Sequence, residues 1–146
     1  MRVTIVAVGK VKEKPLRKVL DDYLGRIGRY VKLEEIELKD GPIDQVQAKF
    51  EKALDARGKV VALEVEGDAW SSQKLASFVG ECEVRSVPSI TFLIGGSYGL
   101  PPEVSRAADV RLSLSAMTLP HRLARVFLAE QVYRAYTILR GEPYSH

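Results

Sequence analysis

Asparagine is absent, and cysteine occurs once, at Cys82, in a chain of 146 residues. A lone cysteine excludes an internal disulfide and points to a reducing compartment, so a cytoplasmic protein is expected. Two histidines and one cysteine, with no ligand spacing between them, imply no metal site. No run of about 18 apolar residues occurs, so no membrane-spanning helix is expected. The apolar start, Met1 to Val8, only superficially resembles a signal peptide. Its run is short, ends at Gly9-Lys10, and alternates well enough to be a first strand. The lack of asparagine, with only four glutamines, is a hint of heat adaptation. Excess charge is also scarce. A net charge of +3 permits a polyanionic partner without demanding one.

An apolar content of 46% is that of a soluble globular chain. The length suggests one domain over residues 1–146, able to bury about 70% of its unfolded surface. In order, Arg2 to Val8 reads as a strand and Gly9 to Lys14 as a basic loop. Pro15 opens a helix whose apolar face is Leu16, Val19, Leu20, Tyr23, Leu24 and Ile27. Val31 to Leu38 alternates as a strand, with a bulge expected at Glu34-Glu35. Gly41-Pro42 breaks the chain, and Ile43 to Ala56 forms a second helix ended by Gly58. Lys59 to Val65 is a third strand, apolar on both faces and hence central. Gly67-Asp68 turns, and Ser71 or Ser72 caps a third helix through about Cys82. Ile90 to Ile94 is a fourth strand. Pro101-Pro102-Glu103 opens a short helix, Val110 to Leu112 is a fifth strand, and a long helix runs from Pro120 to Leu139. Strands alternating with helices imply an α/β fold, a mostly parallel sheet with helices on both faces.

The last third is the most informative. Two loops of small and hydroxyl residues, Gly95–Gly99 and Leu114–Leu119, follow buried strands, where an open sheet takes its ligand. The final helix has apolar residues on most sides, Leu123, Phe127, Val132, Tyr133 and Tyr136 among them. Such a helix is covered on most sides. Either a second copy covers it in a two-fold homodimer, or it is wedged within its own core.

Ile94-Gly-Gly-Ser-Tyr-Gly-Leu100, Leu112-Ser-Leu-Ser-Ala-Met-Thr-Leu-Pro-His121, Arg125, Glu130-Gln131, Tyr133-Arg134-Ala135 and Arg140-Gly-Glu-Pro-Tyr144 resemble the RlmH family. Val6-Ala-Val-Gly-Lys10 and Leu63-Glu-Val-Glu-Gly67 fit as well, so the likeness spans the chain. It implies a small bacterial SPOUT methyltransferase that moves a methyl group from S-adenosylmethionine to N3 of a pseudouridine in large-subunit (23S) ribosomal RNA. It also implies a homodimer with the cofactor near the subunit interface, and a C-terminal trefoil knot that chain patterning alone would reject. Carried over by position, the cofactor contacts are Leu63, Gly95, Leu114, Ser115, Ala116, Met117, Thr118 and Leu119. The tail departs from the family pattern, because Ser145 displaces the terminal His146.

The residue types suit that chemistry. Methyl transfer from a sulfonium needs alignment and exclusion of water. An imide nitrogen attacks well only after losing its proton, so a base or a cation beside it would help. Gly95 would let backbone approach a ligand, or merely make a turn. Thr118 would read an adenine edge, or cap the last helix. Leu63, Leu114 and Leu119 would sandwich the adenine, or be core. His121, in a first helical turn that disfavours the imidazolium, Arg125 and Tyr144 are the catalytic candidates. His121 would accept the proton, or be a plain hydrogen-bonded histidine. Tyr144 would close over the pocket. Lys10, Lys12, Arg122 and Arg140 are the RNA-phosphate candidates, Arg122, Arg125 and Arg140 sharing one sector of the helix. Glu130 and Arg134 are an expected i,i+4 ion pair. Two rivals remain at this stage: a non-catalytic RNA- or ribosome-binding module, and a flavodoxin-like protein using Gly95–Gly99 as an anion nest.

Overall fold

The computed structural model describes residues 1–144; His146, named above, lies outside them. Strands and helices alternate: β1 (Arg2–Val8), α1 (Lys14–Ile27), β2 (Lys32–Leu38), α2 (Ile43–Lys52), β3 (Lys59–Ala69), α3 (Ser72–Val84), β4 (Ser89–Ile94), α4 (Pro102–Ala107), β5 (Val110–Ser113) and α5 (His121–Leu139). The five strands form one sheet in the order β2-β1-β4-β3-β5, and every pairing is parallel. The sheet has two cores. On one face Val3, Ile5, Phe92 and Ile90 pack against α1, α3 and α5; on the other Val6, Leu93 and Ala62 pack against α2 and α4. β4 is buried along its whole length, as its unbroken apolar run requires.

Three sequence expectations change. β2 has no bulge: its register with β1 runs unbroken from Arg2↔Lys32 to Val8↔Leu38. The charges that suggested a bulge are instead neutralised in place, Glu34 by Arg2 and Glu35 by Arg17 and Arg125, while Glu37 shares the same two arginines as Glu35. α2 stops at Lys52, because a turn held by Gly58 N–H on the Asp55 carbonyl replaces its last residues. The cap of α3 falls on Ser71, one of the two serines expected, whose hydroxyl accepts from Lys74 N–H at 3.1 Å.

The largest change is in β3. Gly67-Asp68 does not end the strand. Leu63 and Asp68 both stand opposite Leu112 of β5, and the residues between them are pushed out of the ladder as a bulge. Gly67 permits this, since a Cβ there would sit 2.6 Å from the Arg111 carbonyl oxygen.

α5 explains its own apolar perimeter to a large degree. It lies on the sheet between α1 and α3. Tyr136, Val132 and Leu128 are wholly buried there, with Tyr136 stacked on Tyr30 at 5.4 Å. What remains outward is narrow: Leu123 and Phe127, each 39% exposed. The chain then reverses at Gly141, φ +66°, with Glu142 N–H on the Thr137 carbonyl.

Candidate functional site

A cleft of about 590 Å³ opens where β4 and β5 end and β3 leaves β4. That volume suits a cofactor-sized ligand. Leu63, Ile94, Leu100, Leu112, Leu114 and Leu119 give it apolar walls, and Ser97, Ser115, Thr118, His121, Arg122 and Glu64 add polar groups.

The Gly95–Gly99 turn shapes one wall. Gly99 N–H bonds the Gly96 carbonyl at 3.0 Å, with Gly99 at φ +79°. A Cβ on Gly95 would lie 2.3 Å from the Gly99 carbonyl carbon. The glycine is therefore required by the turn folding onto itself, before any ligand is considered. Tyr98 stands outward at the tip, 98% exposed.

The 114–120 loop makes the facing wall. Ser113 Oγ donates to the Ser115 carbonyl at 2.9 Å, and Ser115 Oγ accepts from Met117 N–H at 3.0 Å. These side-chain bonds fix a segment that has no ladder of its own. Thr118 does not cap α5: the N-cap is Pro120 and no side chain caps the helix. The first N–H groups of α5 thus open beside the cleft without a side-chain acceptor.

The structure gathers Leu63, Gly95, Leu114, Ser115, Met117, Thr118, Leu119, His121 and Arg122 around one space. Ala116 belongs to the same loop but is exposed and does not line it. His121 buries Nδ1 without a hydrogen-bond partner, and its ring lies beside Gly9, φ +86°.

Three other residues are placed elsewhere. Arg125 does not reach the cleft. Its side chain is fully buried, with Nη1 on Glu37 and Glu35 and Nη2 on the Gly9 carbonyl at 3.0 Å. Arg140 pairs with Glu83 at the far end of α5. Arg122, at the cleft, pairs with Glu13. The row of arginines read from helical spacing is therefore three separate ion pairs. Tyr144 folds back onto α5, its hydroxyl donating to Glu130 at 2.7 Å and its ring edge-on to Tyr133 at 4.6 Å. Burial and the Glu130 acceptor raise its phenol above the ordinary range. It lines no part of the cleft. Lys10 and Lys12 are exposed in the loop after β1. Glu130 and Arg134 pair at 2.7 Å, as their spacing predicts.

Residues 1–146 match the family model described as "Predicted SPOUT methyltransferase". The chain belongs to the SPOUT methyltransferase family. Over its full length it is 53% identical to a ribosomal RNA large subunit methyltransferase H of Sorangium cellulosum, covering all of that protein. It is 43% identical to a protein of the same name from Clostridioides difficile, with 99% of each chain covered. Identity is 40% to the one from Geobacter metallireducens, over 100% of this chain and 99% of that one.

A SPOUT methyltransferase uses S-adenosylmethionine, and the donor set here fits that molecule. Leucines on facing walls suit the faces of an adenine. The uncapped start of α5 suits a carboxylate. Sequence reasoning missed Glu64, Val65 and Leu112 as cleft residues. Leu112 was legible as the end of a strand, whereas the bulge that swings Glu64 and Val65 into place has no local signal.

Proposed function

We propose that this chain transfers the methyl group of S-adenosylmethionine to N3 of a pseudouridine in large-subunit (23S) ribosomal RNA, acting as a cytoplasmic homodimer. One observation carries the reading: the third-strand leucine, the Gly95 turn and the 114–119 loop, far apart in the chain, meet around a single cleft at the carboxyl edge of the sheet. The relatives' shared name supports the ribosomal substrate. β5 lying against β3, with α5 returning between α1 and α3, supports the trefoil knot that membership implies.

The donor supplies a methyl group already activated for displacement. The protein's part is to bind, align and dry. Leu63, Leu114 and Leu119 hold the adenine and exclude water. Backbone groups of the two loops meet its edge. His121 sits at the cleft with Nδ1 buried, which leaves Nε2 to take the imide proton. Lys10 and Lys12, in the loop beside His121, meet RNA phosphates.

Two observations support the dimer. Leu123 and Phe127 remain exposed on one side of α5, and Phe127 lines a small hollow with Trp70 and Leu114. Tyr144 is held away from its own cleft, so its place in catalysis is in the cleft of the other subunit. The deciding experiment is calorimetry with S-adenosylmethionine, followed by methylation assays on ribosomes and on free RNA with mass mapping of the product. Absence of binding at millimolar donor would leave only the RNA-binding module.

A further inference from the structure

Two of the residues that line the cleft carry a full charge at neutral pH, Arg122 and Glu64. Arg122 is neutralised by Glu13. Glu64 makes no ion pair or hydrogen bond among the described residues, although it is half-buried. Its position has a definite cause. Leu63 and Asp68 both take the place opposite Leu112, so the residues between them leave the sheet, and Glu64 and Val65 are turned into the cleft lining. A carboxylate kept partly out of water without a cation is costly unless a ligand supplies one.

Resting on the cofactor reading above, we propose that Glu64 makes the cleft select the cationic sulfonium donor over its neutral thioether product. When the methyl carbon bonds to the substrate nitrogen, the electron pair of the broken carbon–sulfur bond stays on sulfur and the imide proton leaves to a base. The positive charge on sulfur disappears in that step. The attraction to Glu64 disappears with it, and the spent cofactor is held less tightly than the fresh one. Both ligands keep the same adenosine, ammonium and carboxylate groups, so the preference isolates the sulfur charge. Interactions of a half-exposed charge are screened by solvent and by salt, which sets the size of the effect.

The test is calorimetric titration of the full-length protein and of Glu64→Gln with S-adenosylmethionine and with S-adenosylhomocysteine, at low and high salt. Donor affinity should fall about tenfold in the variant while product affinity changes less than about twofold. The salt dependence of donor binding should flatten. Glu64→Asp, which keeps the charge, should keep most of the preference, and guards against a glutamine variant that folds poorly. Equal losses for both ligands, or none, would overturn the proposal. A wild-type protein that binds neither ligand would sink the cofactor reading itself, a result distinguishable from an unchanged ratio in Glu64→Gln.

Discussion

Arg125 Nη2 donates to the main-chain carbonyl of Gly9 at 3.0 Å, tying the first turns of α5 to the end of β1. The same guanidinium meets Glu35 and Glu37 of β2, which Arg17 of α1 also holds. Four elements thus converge on one buried cation beneath the cleft, and the residue positions the site rather than acting in it. Replacing Arg125 by alanine would leave two partly buried carboxylates to Arg17 alone and deprive the Gly9 carbonyl of its donor. Stability should fall by about 3 kcal/mol, the range for breaking a buried pair. Urea unfolding measures it, and a loss under about 1 kcal/mol would contradict the anchoring role.

Gly95→Ala should weaken donor binding by more than about tenfold, because a Cβ meets the Gly99–Leu100 backbone and the turn must open. Overall stability should drop by only ~1–2 kcal/mol, since the turn lies at the sheet's edge. Calorimetry and thermal unfolding of the same sample separate the two effects. Undiminished affinity would remove this turn from the site.

Phe127→Arg should convert the proposed dimer to monomers with the fold intact, as read by sedimentation velocity and circular dichroism. Tyr136→Glu is the contrasting case. Tyr136 is wholly buried in the subunit's own core, so that change should unfold the chain instead. An unchanged sedimentation coefficient for Phe127→Arg would rule out that side of α5 as the interface.

Mixing Tyr144→Ala subunits with Leu114→Glu subunits should restore part of the activity that each homodimer lacks. In mixed dimers one cleft is intact and faces an intact tail. No recovery in the methylation assay would mean that Tyr144 serves its own subunit or none.

The tyrosine cluster makes an alkaline prediction. The Tyr30 phenol is raised from 10.0 to about 12, chiefly because its proton is held in the 2.6 Å hydrogen bond it donates to Glu142, with burial adding to the rise. Burial raises Tyr136 as well. The folded state binds these protons more tightly than the unfolded chain. Their contribution is therefore complete below pH 10.0 and is lost as pH rises towards about 12. Denaturant unfolding across that window should show falling stability, and Tyr30→Phe should flatten the decline.

Periodicity located the helices and strands because each buries one definable face. Leu16, Leu20 and Ile27 of α1 illustrate a stripe that local spacing reveals. Where partners are distant in sequence, it failed. Glu34-Glu35 looked like a strand defect because their cations come from β1, α1 and α5. Arg125 looked like a free phosphate ligand for the same reason, although an arginine between Ala124 and Leu128 on a buried helix face was a signal of internal pairing. Gly67 looked like a turn because nothing local says that a β5 backbone presses on it. The two cleft loops were legible as a pair from their places after buried strands and from the RlmH likeness, but the reason for Gly95 was not, since it depends on Gly99 and Leu100 folding back over it.

The strand order carries a consequence for biosynthesis. β4 lies between β1 and β3, yet it is made after both, and Arg2 pairs with Ser89. As the nascent chain leaves the exit tunnel, β1 and β3 have no shared neighbour until β4 emerges, and β3 must then wait for β5. Such distant pairing makes for slow acquisition of structure with sticky edges open. The polypeptide should accordingly lean on chaperones during its synthesis, and pulse-labelled hydrogen exchange should find β1 and β4 protected together rather than in turn.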